Sequence, residues 1–268
     1  MLTVILGFTT SLVYGFADFF GAIAAKKIPP VAVTFFAGVS GLVFLLTLIP
    51  TLGADFSSGA LFWGGVSGIA SALAISCLYA SLAIGPISIV SPLGAVVSAI
   101  VPMIVGLSQG DRISPWGGIA LVAILIAVVL VGFIPGENVK LPSVKGLMFA
   151  LAAGVGIGIV LITLDQAPSD SGLAPVIILR TVSAGLLGLF LAMQLLRKTA
   201  KNAQLKASGQ TTERKPRIPR KYFFAILVAG VFDASANVFF ISAIRLGNLS
   251  VVSVLTALYP LGTIVMAR

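Results

Sequence analysis

With 268 residues, 58% of them hydrophobic and only 9% charged, the chain has too little polar residue to cover a water-facing globule. Its apolar runs are about 20 residues long and lack the alternating ten-residue segments of a β-barrel, so it reads as an all-α polytopic membrane protein. The net charge of +9 is concentrated mostly in one loop and speaks for topology rather than nucleic acid, while zero His and one Cys exclude a His-based triad, an ordinary zinc site and an internal disulfide.

Span 1 runs from about Thr3 to Ala24. It lacks a basic leader and carries Asp18, so it is a retained helix rather than a signal peptide. Lys26, Lys27, Pro29 and Pro30 break it, and span 2 follows over Val31 to Ile49. Span 3, Ala60 to Ala83, spaces Gly64, Gly68 and Ala72 four apart, a smooth stripe for close packing, and Trp63 suits the interfacial belt. Span 4, Ile87 to Leu107, contains Pro92 and Pro102. Pro115 starts span 5, which ends near Ile134, and 135–142 joins two halves. Span 6 (Val144 to Leu164) carries Gly154, Gly156 and Gly158, and span 7 (Ala174 to Leu196) encloses Arg180. A basic loop, Arg197 to Lys221, holds nine of the 17 Lys and Arg residues and one acid, Glu213. Spans 8 and 9 cover Tyr222 to Ile244 and Leu249 to Ala267.

Gly85 to Ala95 returns at an offset of 162 residues as Gly247 to Ala257. Gly85, Ser88, Val90, Ser91, Leu93 and Ala95 meet identical residues, six matches in eleven positions. In both copies a Gly closes one apolar run and a Ser/Val/Leu-rich run opens the next. The chain therefore divides into repeats at 1–134 (spans 1 to 5) and 143–268 (spans 6 to 9), and the repeat predicts a tenth span beyond Arg268. Five helices per half is odd, so the halves enter the membrane in opposite directions, with a substrate site expected near the midplane between them.

The order of these features resembles the drug/metabolite transporter superfamily, in particular its EamA-type members with two five-helix repeats. Tyr14-Gly15 is similar to that family's Trp-Gly, and Gly110-Asp111-Arg112-Ile113-Ser114 to its Gly-Glu-Arg-Leu-Ser, with Asp111 in place of Glu. Leu255 to Pro260 resembles its Leu-x-x-Leu-x-Pro. The resemblance implies transport of small metabolites, with export the expected direction.

Polar residues inside spans mark the candidate site. A central Asp costs about 2.5 to 3.5 kcal/mol on insertion, so Asp18 needs an offsetting role. It is either a substrate- or proton-binding carboxylate, with Tyr14 one turn away on the same face, or a packing residue bonded to a neighbouring helix. Asp233 and Asn237 stand i, i+4 on one face of span 8, lining a cavity or bonding between helices. Their counterparts in the first repeat are Ser71 and Ile75, so the cavity is asymmetric. Arg180 can neutralise Asp18 or Asp233, or meet an anionic substrate group. Ser91, Ser98 and Tyr259 can offer hydroxyls, though Ser in membrane helices also serves packing. Asp165, Gln166 and Asp170 fall in a solvated turn.

A secondary transporter of small organic solutes, possessing no cofactor, is the leading reading. A polytopic membrane enzyme and a non-transporting scaffold are the alternatives; the enzyme lacks a nucleophile, metal set or phosphate loop beside its carboxylates. Small-molecule substrate, a coupled proton and membrane lipids are the expected partners. With the N-terminus outside the cell membrane, fourteen basic residues fall in the cytoplasm and only Arg112 and Arg245 outside. The family resemblance implies the opposite orientation.

Overall fold

The computed structural model describes residues 1–25, 27–84, 87–132, 143–207 and 219–267. Residues 85–86 and 133–142, where the sequence places a tight hairpin and the segment joining two halves, and 208–218 of the basic stretch lie outside the described residues. The described chain is helical throughout, with one isolated β-bridge between Ala54 and Gly172. Its helices are α1 (Leu2–Ala25), α2 (Pro30–Leu52), α3 (Ser58–Ile84), α4 (Ile87–Ser108), α5 (Pro115–Gly132), α6 (Val144–Asp165), α7 (Ala174–Ala207), α8 (Arg220–Leu246), α9 (Leu249–Thr256) and α10 (Tyr259–Ala267). Among the described residues α1, α2, α3, α6, α7 and α8 are long and apolar enough to cross a bilayer. Their outer faces carry Val43, Phe62, Leu73, Leu189 and Phe224, each more than half exposed, as suits a surface solvated by lipid. The protein is an all-α, multi-pass membrane protein.

Local chemistry sets the helix ends. Pro30 opens α2 behind Pro29, where a missing N–H costs nothing, and Ser143 caps α6 by accepting from Gly146 N–H at 3.1 Å. Ser114 does the same for α5, accepting from Gly117 N–H at 3.1 Å.

Two boundaries differ from the sequence expectation. Span 7 was expected to stop at Leu196, but α7 continues to Ala207. Residues 197–207 contain neither Gly nor Pro and are mostly good helix formers, so nothing ends the helix when it leaves the apolar run. The extension adds about 16 Å beyond the span. The ninth span is interrupted: α9 ends at Thr256, a turn occupies Ala257 and Leu258, and α10 resumes at Tyr259. Pro260 has no N–H for the Thr256 carbonyl and its ring crowds that carbonyl, which breaks the helix there. α4 carries Pro92 and Pro102 without interruption.

Small residues bring the helices together. A methyl on Gly68 would lie 2.8 Å from the Leu179 carbonyl of α7, and one on Gly64 would lie 2.8 Å from that of Pro175, so the α3 stripe packs on α7. Gly154 and Gly158 meet Val97 and Val101 of α4, and Gly156 meets Ala74 of α3. α1 lies along α8 and α3 along α6, in the two most extensive interfaces. A core of Leu45, Leu161, Leu164, Val176, Phe240 and Ile241 fills the space between α2, α6, α7 and α8.

The bundle has two distinct ends. At the near end, where α1 starts, Thr3 Oγ1 donates to Leu246 O at 3.1 Å and Gln166 Nε2 to Gln109 Oε1 at 3.4 Å. Here also Leu173 N–H donates to Gly53 O at 2.9 Å and Asp55 N–H to Ser171 O at 3.1 Å. Gly172, at φ 56°, sits so close to the Gly53 carbonyl that any side chain would collide with it. At the far end Ala24, Ile28, Val33, Ala225 and Ile226 form an apolar cluster. α1 leaves the near end while α6 arrives there, so these two helices run in opposite directions.

Candidate functional site

Four helices bring the candidate residues together: α1 supplies Tyr14 and Asp18, α7 Arg180, α8 Asp233, and α10 Tyr259. Close approach of α1 and α10 makes this possible. Methyl groups on Gly15 or Gly262 would run into the opposite backbone, and Thr263 Oγ1 donates to the Gly15 carbonyl at 3.2 Å. Beside the polar residues Phe232 stacks on Phe20 with ring centroids 6.0 Å apart and meets Phe16 edge-on at 5.7 Å, giving the site an aromatic wall.

Arg180 and Asp233 form an ion pair through Nη1 and Oδ2. The arginine side chain is 8% exposed and the aspartate 33%, so the cation is enclosed and the carboxylate keeps an open side. Arg180 Nε is buried without a hydrogen-bond partner among the described residues. A guanidinium is suited to this position because it stays charged and is more weakly hydrated than an ammonium group.

Asn237 does not join the pair. Its Nδ2 donates back to the Asp233 main-chain carbonyl at 2.8 Å, a bond within α8, and the residue is 4% exposed. Asp18 has a different environment. It is exposed, has neither an ion pair nor a hydrogen bond among the described residues, and feels the charge of Asp233. Tyr14 lies within electrostatic range of Asp18, Arg180 and Asp233, and Tyr259 within range of Asp18. The cluster therefore holds two carboxyl groups and one guanidinium, with two phenol groups beside them.

The remaining candidates stand apart. The side chain of Ser91 lies outside the described residues. Ser98 is buried and donates to Ala95 O at 2.8 Å within its own helix. Asp165 closes α6 rather than lying in the turn that follows; it is half-buried, accepts from Gln166 Nε2 at 3.3 Å and feels the charge of Asp111. Only Asp170 of that group is exposed. Sequence reasoning missed the contact of Thr263 with Gly15 and the bonds made by Asp111. The Gly110 to Ser114 motif was the available signal for the latter.

Residues 144–268 match the model of the EamA-like transporter family. Three chains of known structure match the fold. One of them, a crystal structure, superposes with a TM-score of 0.69 at 15% identity, covering 98% of this chain and 88% of that one; at this identity the likeness shows the fold alone. The curated proteins give no match. Residues 144–268 of this multi-pass membrane protein are thus similar to the EamA-like transporter family, part of the drug/metabolite transporter superfamily.

Proposed function

We propose that the chain is a secondary transporter, exporting small organic metabolites across the cell membrane by alternating access between its two halves, 1–134 and 143–268. The observation that carries this reading is the charged cluster at mid-bundle, where Asp18 stands exposed and unpaired beside the Arg180–Asp233 pair. Ionisable groups inside a membrane persist where they face a substrate or ion path. The packing supports the two-half division: α1 lies on α8 as α6 lies on α3, α2 meets α8 as α7 meets α3, and α9 with α10 pack on α1 as α4 packs on α6. Exchange of the halves maps this pattern onto itself, as an inverted repeat requires.

In this reading Asp18 takes a coupled proton or the substrate, Tyr14 and Tyr259 border it, and Asp233 and Arg180 hold the opposite wall. The chain is oriented with its N-terminus outside. The test is flux: the purified protein in vesicles, challenged with a panel of metabolites with and without a proton gradient, moves at least one of them, and Asp18→Asn abolishes gradient-driven movement. Flux unaffected by Asp18→Asn reduces that residue to packing. For orientation, Ser208→Cys in a Cys77→Ala background stays unlabelled by an impermeant reagent in intact cells; labelling there refutes the N-outside arrangement.

A further inference from the structure

α9 is an eight-residue helix whose N-cap, Asn248, makes no side-chain cap, and its first turn contains no acid. The Asn248 carbonyl accepts from the Val251 and Val252 N–H groups, so the N–H groups of Leu249 and Ser250 are the ones that need acceptors, and the helix dipole favours a negative charge beside them. The acceptor comes from the other half of the chain. Asp111, in the loop after α4, takes the Ser250 N–H at 2.9 Å and the Ser250 hydroxyl at 2.7 Å on one carboxylate oxygen. Asn248 turns its amide outward to the Arg112 carbonyl at 3.2 Å, so the tip of α9 and the 109–114 loop grip each other at two points.

The geometry is close and specific. Gly106 of α4 lies beneath the contact, and a methyl group there would meet both the Asp111 carboxylate and Ser250. The Ser250 hydroxyl lies 3.0 Å from the Met103 carbonyl as well, so its single proton has a second acceptor on α4 when Asp111 withdraws. This contact stands at the near end with the other polar contacts between halves, Thr3 with Leu246, Gln109 with Gln166, and the Ala54–Gly172 bridge. At the far end Ala24, Ile28, Val33, Ala225 and Ile226 meet as an apolar cluster.

We infer that Asp111 is a releasable latch between the two halves: by capping α9 across the interface it holds the near end shut, and its release from Ser250 is the step that opens that end. The inference assumes the two-half reading above, yet it is measured by accessibility and needs no substrate, so failure of flux and failure of the latch are told apart.

The test is thiol labelling in detergent, in a Cys77→Ala background. Ser253→Cys reports the near end, one turn below the contact and 1% exposed, and Ala24→Cys reports the far end at 0%. With Asp111→Ala, a water-soluble maleimide labels Ser253→Cys at least about tenfold faster, the scale set by losing hydrogen bonds to a charged group, while Ala24→Cys keeps its rate. Ser250→Ala removes the hydroxyl but keeps the N–H bond and accelerates labelling about threefold, and Asp111→Glu restores most of the protection. Unchanged rates at Ser253→Cys, or equal acceleration at both ends, overturn the latch. Should Asp111→Ala not fold, Ser250→Ala decides alone, and a parental rate there is the negative result.

Discussion

α1 and α8 each place a carboxylate within the membrane, and the bundle treats the two differently. Asp233 is held by Arg180 from α7 and retains a third of its side-chain exposure. Asp18, on the neighbouring helix and within electrostatic reach of the same groups, has no partner among the described residues and is exposed. Burying a charge demands a counterion and good geometry, whereas a charge left open to solvent or ligand is free to exchange what it binds. Under the proposed function, the difference separates a carboxylate that holds the site together from one that takes up and releases a proton or a substrate.

Substitutions at the pair should have the largest effect. Arg180→Met leaves the Asp233 carboxylate without its cation, and thermal unfolding in detergent should show a loss of about 3 to 5 kcal/mol, the cost of breaking a buried pair from one side. Asp233→Asn strands the guanidinium instead and should cost slightly less, because the amide oxygen still accepts one bond; the inserted protein should lose coupled transport. Arg180→Met combined with Asp233→Asn should recover most of the stability, with a coupling of about 1 to 3 kcal/mol in the double-mutant cycle. A strictly additive double mutant would show that the pair contributes no specific attraction.

Phe232→Ala should come next, removing the ring that meets both Phe16 and Phe20 and costing about 3 kcal/mol in a site that collapses partially. Asp18→Asn should be smallest in stability, within about 0.5 kcal/mol of the parent or stabilising, since it breaks no contact. It should nevertheless have the greatest effect on flux. A large destabilisation by Asp18→Asn would erase the contrast between the two carboxylates.

A second contrast, between α4 and the α9–α10 segment, shows how far local rules reach. The repeat aligned their opening turns residue by residue from the chain alone, and the hydropathy placed both in the membrane. α4 passes through two prolines unbroken, while Pro260 divides its counterpart. Proline is tolerated in a membrane helix where neighbouring groups donate to the freed carbonyl, and that depends on what lies alongside.

By itself the sequence determined the membrane class, the positions of most spans, the small-residue stripe of α3 and which spans carry ionisable residues. Apolar length, Gly spacing and the cost of an intramembrane charge are properties of a single segment, and each is legible within it. Tertiary structure alone decided that Arg180 chooses Asp233 over Asp18, that Asn237 turns back on its own helix, and that Asp111 caps a helix 139 positions away. In a bilayer, lipid and protein offer an apolar face similar surroundings, so hydrophobicity does not say which way a helix turns. Interhelical packing fixes that rotation, and with it the partner each charge finds.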